Sequence, residues 1–154
     1  MSEHHYEVEI SWIGNRGTGT SAYKAYGRDF TAISKGKPVL QGSSDPAFLG
    51  DPTRWNPEDM LVASISACHK LWYLHLCAVN NIIVTSYVDK AIGYMVDEHP
   101  TRKGHFTRVV LRPNVEVTPD SNKILANKLH DQAHHECFLA NSMNFKIQCE
   151  PIIK

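Results

Sequence analysis

The amino-acid sequence predicts an α+β fold in which antiparallel sheets surround one long central helix. Three observations lead there. Short blocks with strand periodicity come in runs, and a helix signal stands between two of those runs. The order β-β-β-α-β-β-α-β groups its strands instead of alternating them with helices. With 154 residues and an ordinary hydrophobic fraction of 42%, the chain is expected to form a single domain over residues 1–154, with no repeat or linker.

Tyr6 to Ile13 alternates polar and apolar residues as a strand does, and Gly14-Asn-Arg-Gly17 then signals a hairpin. A second strand is expected through Thr18 to Tyr26 and a third through Phe30 to Ser34, before Gly36-Lys-Pro38 breaks the pattern. Gly42 to Arg54 has no sustained period and reads as a long loop. Asn56-Pro57-Glu58-Asp59 then places a capping side chain, a proline at the first helical position and two acids in the first turn. The helix it opens carries Leu61, Ile65, Cys68, Trp72, Leu76 and Val79 on one apolar face and should end near Asn80-Asn81. Small residues flank the first half of that face, so another backbone can approach closely there.

Ile82 to Tyr94 and Phe106 to Val117 are rich in β-branched and aromatic residues and read as two further strands joined by Asp97 to Gly104. Asp120-Ser-Asn opens a second helix with Ile124, Leu125, Leu129 and Ala133 facing inward. A short helix or turn through Asn141 and a last strand, Phe145 to Cys149, complete the chain.

Sixteen Lys and Arg balance sixteen Asp and Glu, which gives no electrostatic reason to expect nucleic acid or an anionic membrane as partner. The N-terminal residues lack the basic and apolar regions of a secretory signal, and no apolar run approaches the roughly 20 residues needed to span a bilayer. A cytoplasmic protein is the expectation. Four cysteines without a CxxC pair fit neither a disulfide scaffold nor a zinc knuckle, so each is either a packed thiol or chemistry.

A nucleophilic cysteine must be ionised, and burying that charge requires a cation, a helix N-terminus or a base nearby. Cys68 lies three turns into the long helix, beyond help from its terminus, so a cation must come from elsewhere. Arg16 and Arg28 occupy turns that could supply one, with Arg54 a weaker candidate; each alone reads equally as a solvated charge, and Cys68 as an inert buried thiol. Glu58 precedes Cys68 by ten residues, about 15 Å of helical rise, and reaches it only through a relaying arginine or from a two-fold-related helix. Cys77 is some 13 Å along the helix from Cys68 and cannot bridge to it. Cys149 reads as packing in a terminal strand, which leaves Cys137 as the candidate partner of Cys68. His130, His134 and Cys137 share a helical face and, with Cys68 as fourth ligand, could form a zinc site. The alternative for His130 and His135 is a solvated histidine edge.

The segments Asn56-Pro-Glu-Asp-Met-Leu-Val-Ala-Ser-Ile-Ser-Ala-Cys68 and Ala133-His-His-Glu-Cys-Phe-Leu-Ala-Asn-Ser142, with the order of elements, resemble the OsmC/Ohr family of osmotically induced and organic-hydroperoxide-resistance thiol peroxidases. The resemblance implies an intertwined homodimer with two interfacial sites, Cys68 as peroxidatic cysteine, Cys137 as resolving cysteine and Glu58 as the acid that holds an arginine. Ohr-type members place that arginine in the first hairpin, where Arg16 stands. OsmC-type members place it later, where this chain has Phe48 and Leu49, so Arg16 or Arg28 must serve. The long Gly42 to Arg54 loop, His69, Trp72 and Tyr73 set this chain apart from the best-known members. The implied chemistry reduces organic hydroperoxides with an external dithiol, such as a dihydrolipoyl group, and uses no bound cofactor or metal. Trp72, Phe138, Leu139 and Met143 favour an organic peroxide over hydrogen peroxide. Two other readings are a non-catalytic ligand- or zinc-binding stress protein, and a thiol hydrolase or redox sensor built on Cys68.

Overall fold

The computed structural model describes all 154 residues, and the chain divides into two units, Met1–Met60 and Leu61–Lys154. In the first, β1 (Glu9–Trp12), β2 (Phe30–Ile33) and β3 (Leu40–Gly42) form an antiparallel sheet in the order β1-β2-β3. Trp12 pairs with Phe30 and Phe30 with Gly42. The Phe30 ring lies where a side chain on residue 42 would stand, so only glycine fits there.

The expected strand through Thr18 to Tyr26 does not form; that stretch is a series of turns. Asn15 Oδ1 accepts hydrogen bonds from the Gly17 and Gly19 amides, and both glycines have positive φ. Downstream, the Arg28 guanidinium donates to the carbonyls of Tyr23 and Tyr26. Backbone groups that a strand would need are thereby held locally. The loop expected from Gly42 to Arg54 contains the end of β3 and a 3-10 turn, Pro46–Phe48, capped by the Asp45 side chain. Buried Ser43 accepts from the Asp51 amide, and Arg54 pairs with Asp29 and Asp51, so polar contacts order this segment.

Helix α1 (Pro57–Val79) begins as predicted: Asn56 Oδ1 accepts from the Asp59 amide, Pro57 follows it, and Glu58 and Asp59 lie in the first turn. It ends at Asn81, whose left-handed φ of 58° lets the Ile82 amide reach the Cys77 carbonyl at 2.9 Å and the Asn81 amide reach that of Ala78. Its buried stripe is Ile65, His69, Tyr73, Leu76 and Cys77, displaced from the predicted apolar face. Val79, expected inside, is 62% exposed. The displacement follows from partners. Tyr73 can be buried because its hydroxyl donates to the Ala126 carbonyl, and His69 because it meets another histidine.

The predicted strand Ile82 to Tyr94 is in fact two, β4 (Val84–Asp89) and β5 (Ile92–Val96). Phe106 to Val117 likewise divides into β6 (His105–Leu111) and β7 (Pro113–Val117). After α2 (Lys123–Glu136) and α3 (Phe138–Ser142), the terminal segment makes β8 (Lys146–Cys149) and the additional β9 (Ile152–Ile153). The sheets run β4-β7-β9 and β5-β6-β8, and both are mixed, because β8 lies parallel to β6 and β9 parallel to β7. All three chain segments change sheet at one level. Asp89 accepts from the Arg112 amide, Arg112 pairs with Glu150, and the Glu150 amide donates to the Leu111 carbonyl. The result is a crease that an unbroken run of β-branched residues does not announce.

Two cores flank α1. Its C-terminal half packs Tyr73, Leu76 and Cys77 with Val115 and Val117 of β7 and Ala126, Leu129 and Ala133 of α2. Nearer its start, Ile65 packs with Val109 and Leu111 of β6, joined by Phe145, Ile147 and Cys149. Gly93 on β5 lets Val62 of the helix approach the strand, since a Cβ there would collide with it. On α2, Ile124 was expected inside but is 73% exposed; Ala126 and His130 complete the inner face instead.

Leu111→Ala should destabilise the protein by about 2–5 kcal/mol in urea unfolding, through lost burial and the cavity left behind. Ile124→Ala should change stability by no more than about 0.5 kcal/mol.

Candidate functional site

Cys68 is half-buried on α1, whereas Cys137 is buried at the joint where α2 ends and α3 begins. Cys137 serves as N-cap of α3, its sulfur accepting from the Ala140 amide at 3.4 Å. Burial, then the neighbouring Cys68 thiol, pushes the Cys137 thiol up to about 11, against the opposing pull of the Ala140 and Leu139 amides. Cys137 is therefore a protonated thiol at neutral pH. The structure brings together the two cysteines that sequence reasoning paired, and both are free. Beside them Trp72 meets Phe138 edge to face at 5.5 Å, and Phe138 is 70% exposed. Cys77 is buried in the core as a packed thiol.

The remaining predicted site residues belong to the first unit. Arg28 stacks on Tyr23 and Tyr26 while donating to their carbonyls, so its guanidinium is committed to its own turn. Arg54 is held by Asp29 at 3.3 Å and Asp51 at 3.7 Å. Arg16 is exposed beside Gly27 and makes no ion pair. Glu58 sits half-buried in the first turn of α1, without an ion-pair partner in the chain.

The histidines depart from expectation. His130, read as solvated, is 2% exposed, and His69 is 1% exposed. Their Nδ1 and Nε2 atoms lie 3.0 Å apart, and Cys149 Sγ, read as mere packing, stands 3.7 Å from His69 Nε2 and 3.8 Å from His130 Nδ1. Tyr73 stacks on His130 with ring centres 3.8 Å apart. Burial lowers His69 to about 4, opposed by the charge of Asp89. It lowers His130 to about 3, with His69 adding to the effect. Both imidazoles are neutral at neutral pH. Burial likewise pushes the Cys149 thiol up to about 12.

The zinc set drawn from His130, His134, Cys137 and Cys68 is not assembled. His134 and His135 are exposed in the last turn of α2, while His130 belongs to the inner face with Leu129 and Ala133. The signal that could have revealed the observed trio was the spacing of His69, four residues from both Ile65 and Tyr73, which puts it on the buried stripe.

Residues 50–151 match the family described as OsmC-like protein. An OsmC-like protein of unknown function from Vibrio cholerae is 30% identical and superposes with a TM-score of 0.87, covering 99% of this chain and 100% of its own. The uncharacterized protein YmaD of Bacillus subtilis is 24% identical over 163 residues, which cover 100% of this chain and 97% of that protein. The organic hydroperoxide resistance protein OhrB of Bacillus subtilis shares the fold at a TM-score of 0.62 and 16% identity, with 98% of each chain covered. No helix is long and apolar enough to cross a membrane. With a family match over residues 50–151 and a superposition that spans nearly the whole chain, the chain belongs to the OsmC-like protein family.

Proposed function

We propose that this protein is a thiol peroxidase that reduces organic hydroperoxides, with Cys68 as the peroxidatic and Cys137 as the resolving cysteine. The observation that carries the reading is the adjacency of two free thiols contributed by segments far apart in sequence. Their environments also divide the roles. Cys137, buried and protonated, is poorly suited to meet peroxide, whereas Cys68 is partly open to solvent.

In the proposed cycle, the Cys68 thiolate attacks the distal peroxide oxygen. An S–O bond forms, the O–O bond breaks, and the leaving alkoxide takes a proton to depart as alcohol. Cys68 is left as sulfenic acid. Cys137 then displaces its hydroxyl, releasing water and closing a disulfide, and an external dithiol of the dihydrolipoyl type returns both thiols as it is itself oxidised. The Trp72–Phe138 pair offers an apolar flank suited to an organic substituent.

The activating cation is assigned to Arg16, because carbonyls hold Arg28 and carboxylates hold Arg54. In this reading Glu58 orients Arg16 and the active form is a homodimer. Support for the dimer comes from the first unit, where Val8, Ile10, Trp12 and Ile13 are all exposed on or beside β1 and no large apolar side chain is fully buried.

Cys68→Ser should abolish peroxide consumption in a dithiol-coupled assay, while Cys137→Ser should complete one turnover and leave a sulfenic acid that dimedone traps. Multiple turnover by the Cys68 variant would end the reading. Arg16→Ala should lower kcat/KM by about a hundredfold, and Arg28→Ala should lower it much less; the reverse order would transfer the role to Arg28. Sedimentation equilibrium should give twice the 17.4 kDa chain mass, and Ile10→Glu should shift the distribution toward monomer.

A further inference from the structure

The proposed peroxidase chemistry leaves unused a group of nucleophilic and metal-ligating side chains in the second unit. His69 of α1, His130 of α2 and Cys149 of β8 present one donor atom each, all within 4.8 Å of one another. We propose that His69 Nε2, His130 Nδ1 and Cys149 Sγ form a binding site for one thiophilic d10 cation per chain, zinc(II) or copper(I).

Geometry supports it first. Two imidazole nitrogens and a thiolate on a tetrahedral zinc, with bonds of about 2.0–2.1 and 2.3 Å, lie about 3.3 Å apart from N to N and about 3.6 Å from N to S. The corresponding separations here are 3.0, 3.7 and 3.8 Å. The ring centres are 5.3 Å apart, against about 5.2 Å for two imidazoles sharing such an ion. For a metal to replace this hydrogen bond, the donating ring moves its proton to its other nitrogen and stays neutral, and the rings pivot while their centres stay in place.

The donor chemistry agrees. Both imidazoles are buried, and each in its neutral form offers a lone pair to a metal. Two neutral nitrogens and one sulfur, with no carboxylate among them, select against magnesium, calcium and manganese and for zinc or cuprous ion. On binding, the Cys149 thiol proton passes to solvent. A cuprous ion and one thiolate sum to zero charge, and three donors complete its shell. Zinc would take a solvent molecule as fourth ligand, and the Asp89 carboxylate, whose charge is felt at both His69 and Cys149, offsets its remaining charge. The Tyr87 hydroxyl is also buried without a hydrogen-bond partner.

The position also suits a rigid site. Its three residues come from three elements that meet at the seam between the two cores, with the Tyr73 ring stacked on His130. Cys149 keeps partial exposure and gives the ion a way in. An apolar core gains little from two histidines and a thiol in contact unless they bind something.

The test uses the full-length, reduced, chelator-treated protein, titrated with zinc(II) and, anaerobically, with copper(I), each against a competing chromophoric chelator. One equivalent of either ion should bind. Affinity should fall by about a hundredfold or more in Cys149→Ser and His130→Asn, and stay within a few-fold of the parent in the Cys68→Ser/Cys137→Ser double variant. Cobalt(II) supplies a readout that does not depend on the histidine variant folding. A thiolate-to-cobalt charge-transfer band should appear in the parent and in the double variant and be absent from Cys149→Ser. Substoichiometric binding of both ions, or a cobalt–thiolate band lost with Cys68 and Cys137 but retained without Cys149, would overturn the proposal. Neither result bears on peroxide turnover, which the double variant removes by design.

Discussion

Helix α1 is the wall of two hydrophobic cores, and most of what is distinctive in this protein follows from that double duty. Ile65 closes one core against β6, and Tyr73, Leu76 and Cys77 close the other against β7 and α2. A helix with sheet packed along two stretches of one stripe has little freedom to rotate. Each residue on it is consigned to a particular neighbour, and Cys68 and His69, about 100° apart around the axis, meet different ones. The thiol is set beside Cys137, and the imidazole reaches His130 and Cys149.

The same constraint explains how polar groups come to lie inside. At the seam between the cores, apolar side chains from three directions would leave an irregular space. Here a coplanar histidine pair, a sulfur and a stacked tyrosine occupy it. Burial of these groups is only partly compensated: Tyr73 gives its proton to a helix carbonyl and the histidines share one, while His130 Nε2 is buried without a partner. The crease beneath them, where three chain segments change sheet together, lets β8 deliver Cys149 from one core to the edge of the other.

What could be read from sequence was what local chemistry decides. Both limits of α1 were legible because Asn56, Pro57 and Asn80-Asn81 act through their own backbone neighbours. The proximity of Cys68 and Cys137 was legible only in part: helix geometry removed Cys77, but Cys149 was set aside as packing, whereas its sulfur meets His69 and His130. Features set by distant partners were hidden. His69 and His130 are 61 residues apart, and although the spacing of His69 from Ile65 and Tyr73 sets it on the buried stripe, nothing near it names His130 as its partner. The turns of Thr18 to Tyr26 read as a strand because their determinants, Asn15 and Arg28, lie just outside the stretch. A run such as Ile82 to Tyr94 looks continuous because a change of sheet leaves residue preferences intact; only the Asp89 side chain, turned to cap Arg112, records it.

The sulfurs of Cys68 and Cys137 belong to segments that enclose four strands and the whole of α2 between them. Joining them would close a loop of roughly 70 residues and, in the chain-entropy view, remove on the order of 4 kcal/mol of freedom from the unfolded ensemble. The oxidised protein would then be the sturdier one, hardest to unfold at the moment neither thiol of this pair is left to react. Reduction would restore reactivity together with the looser, more readily degraded scaffold, so that resistance to unfolding and readiness to react alternate in a single chain.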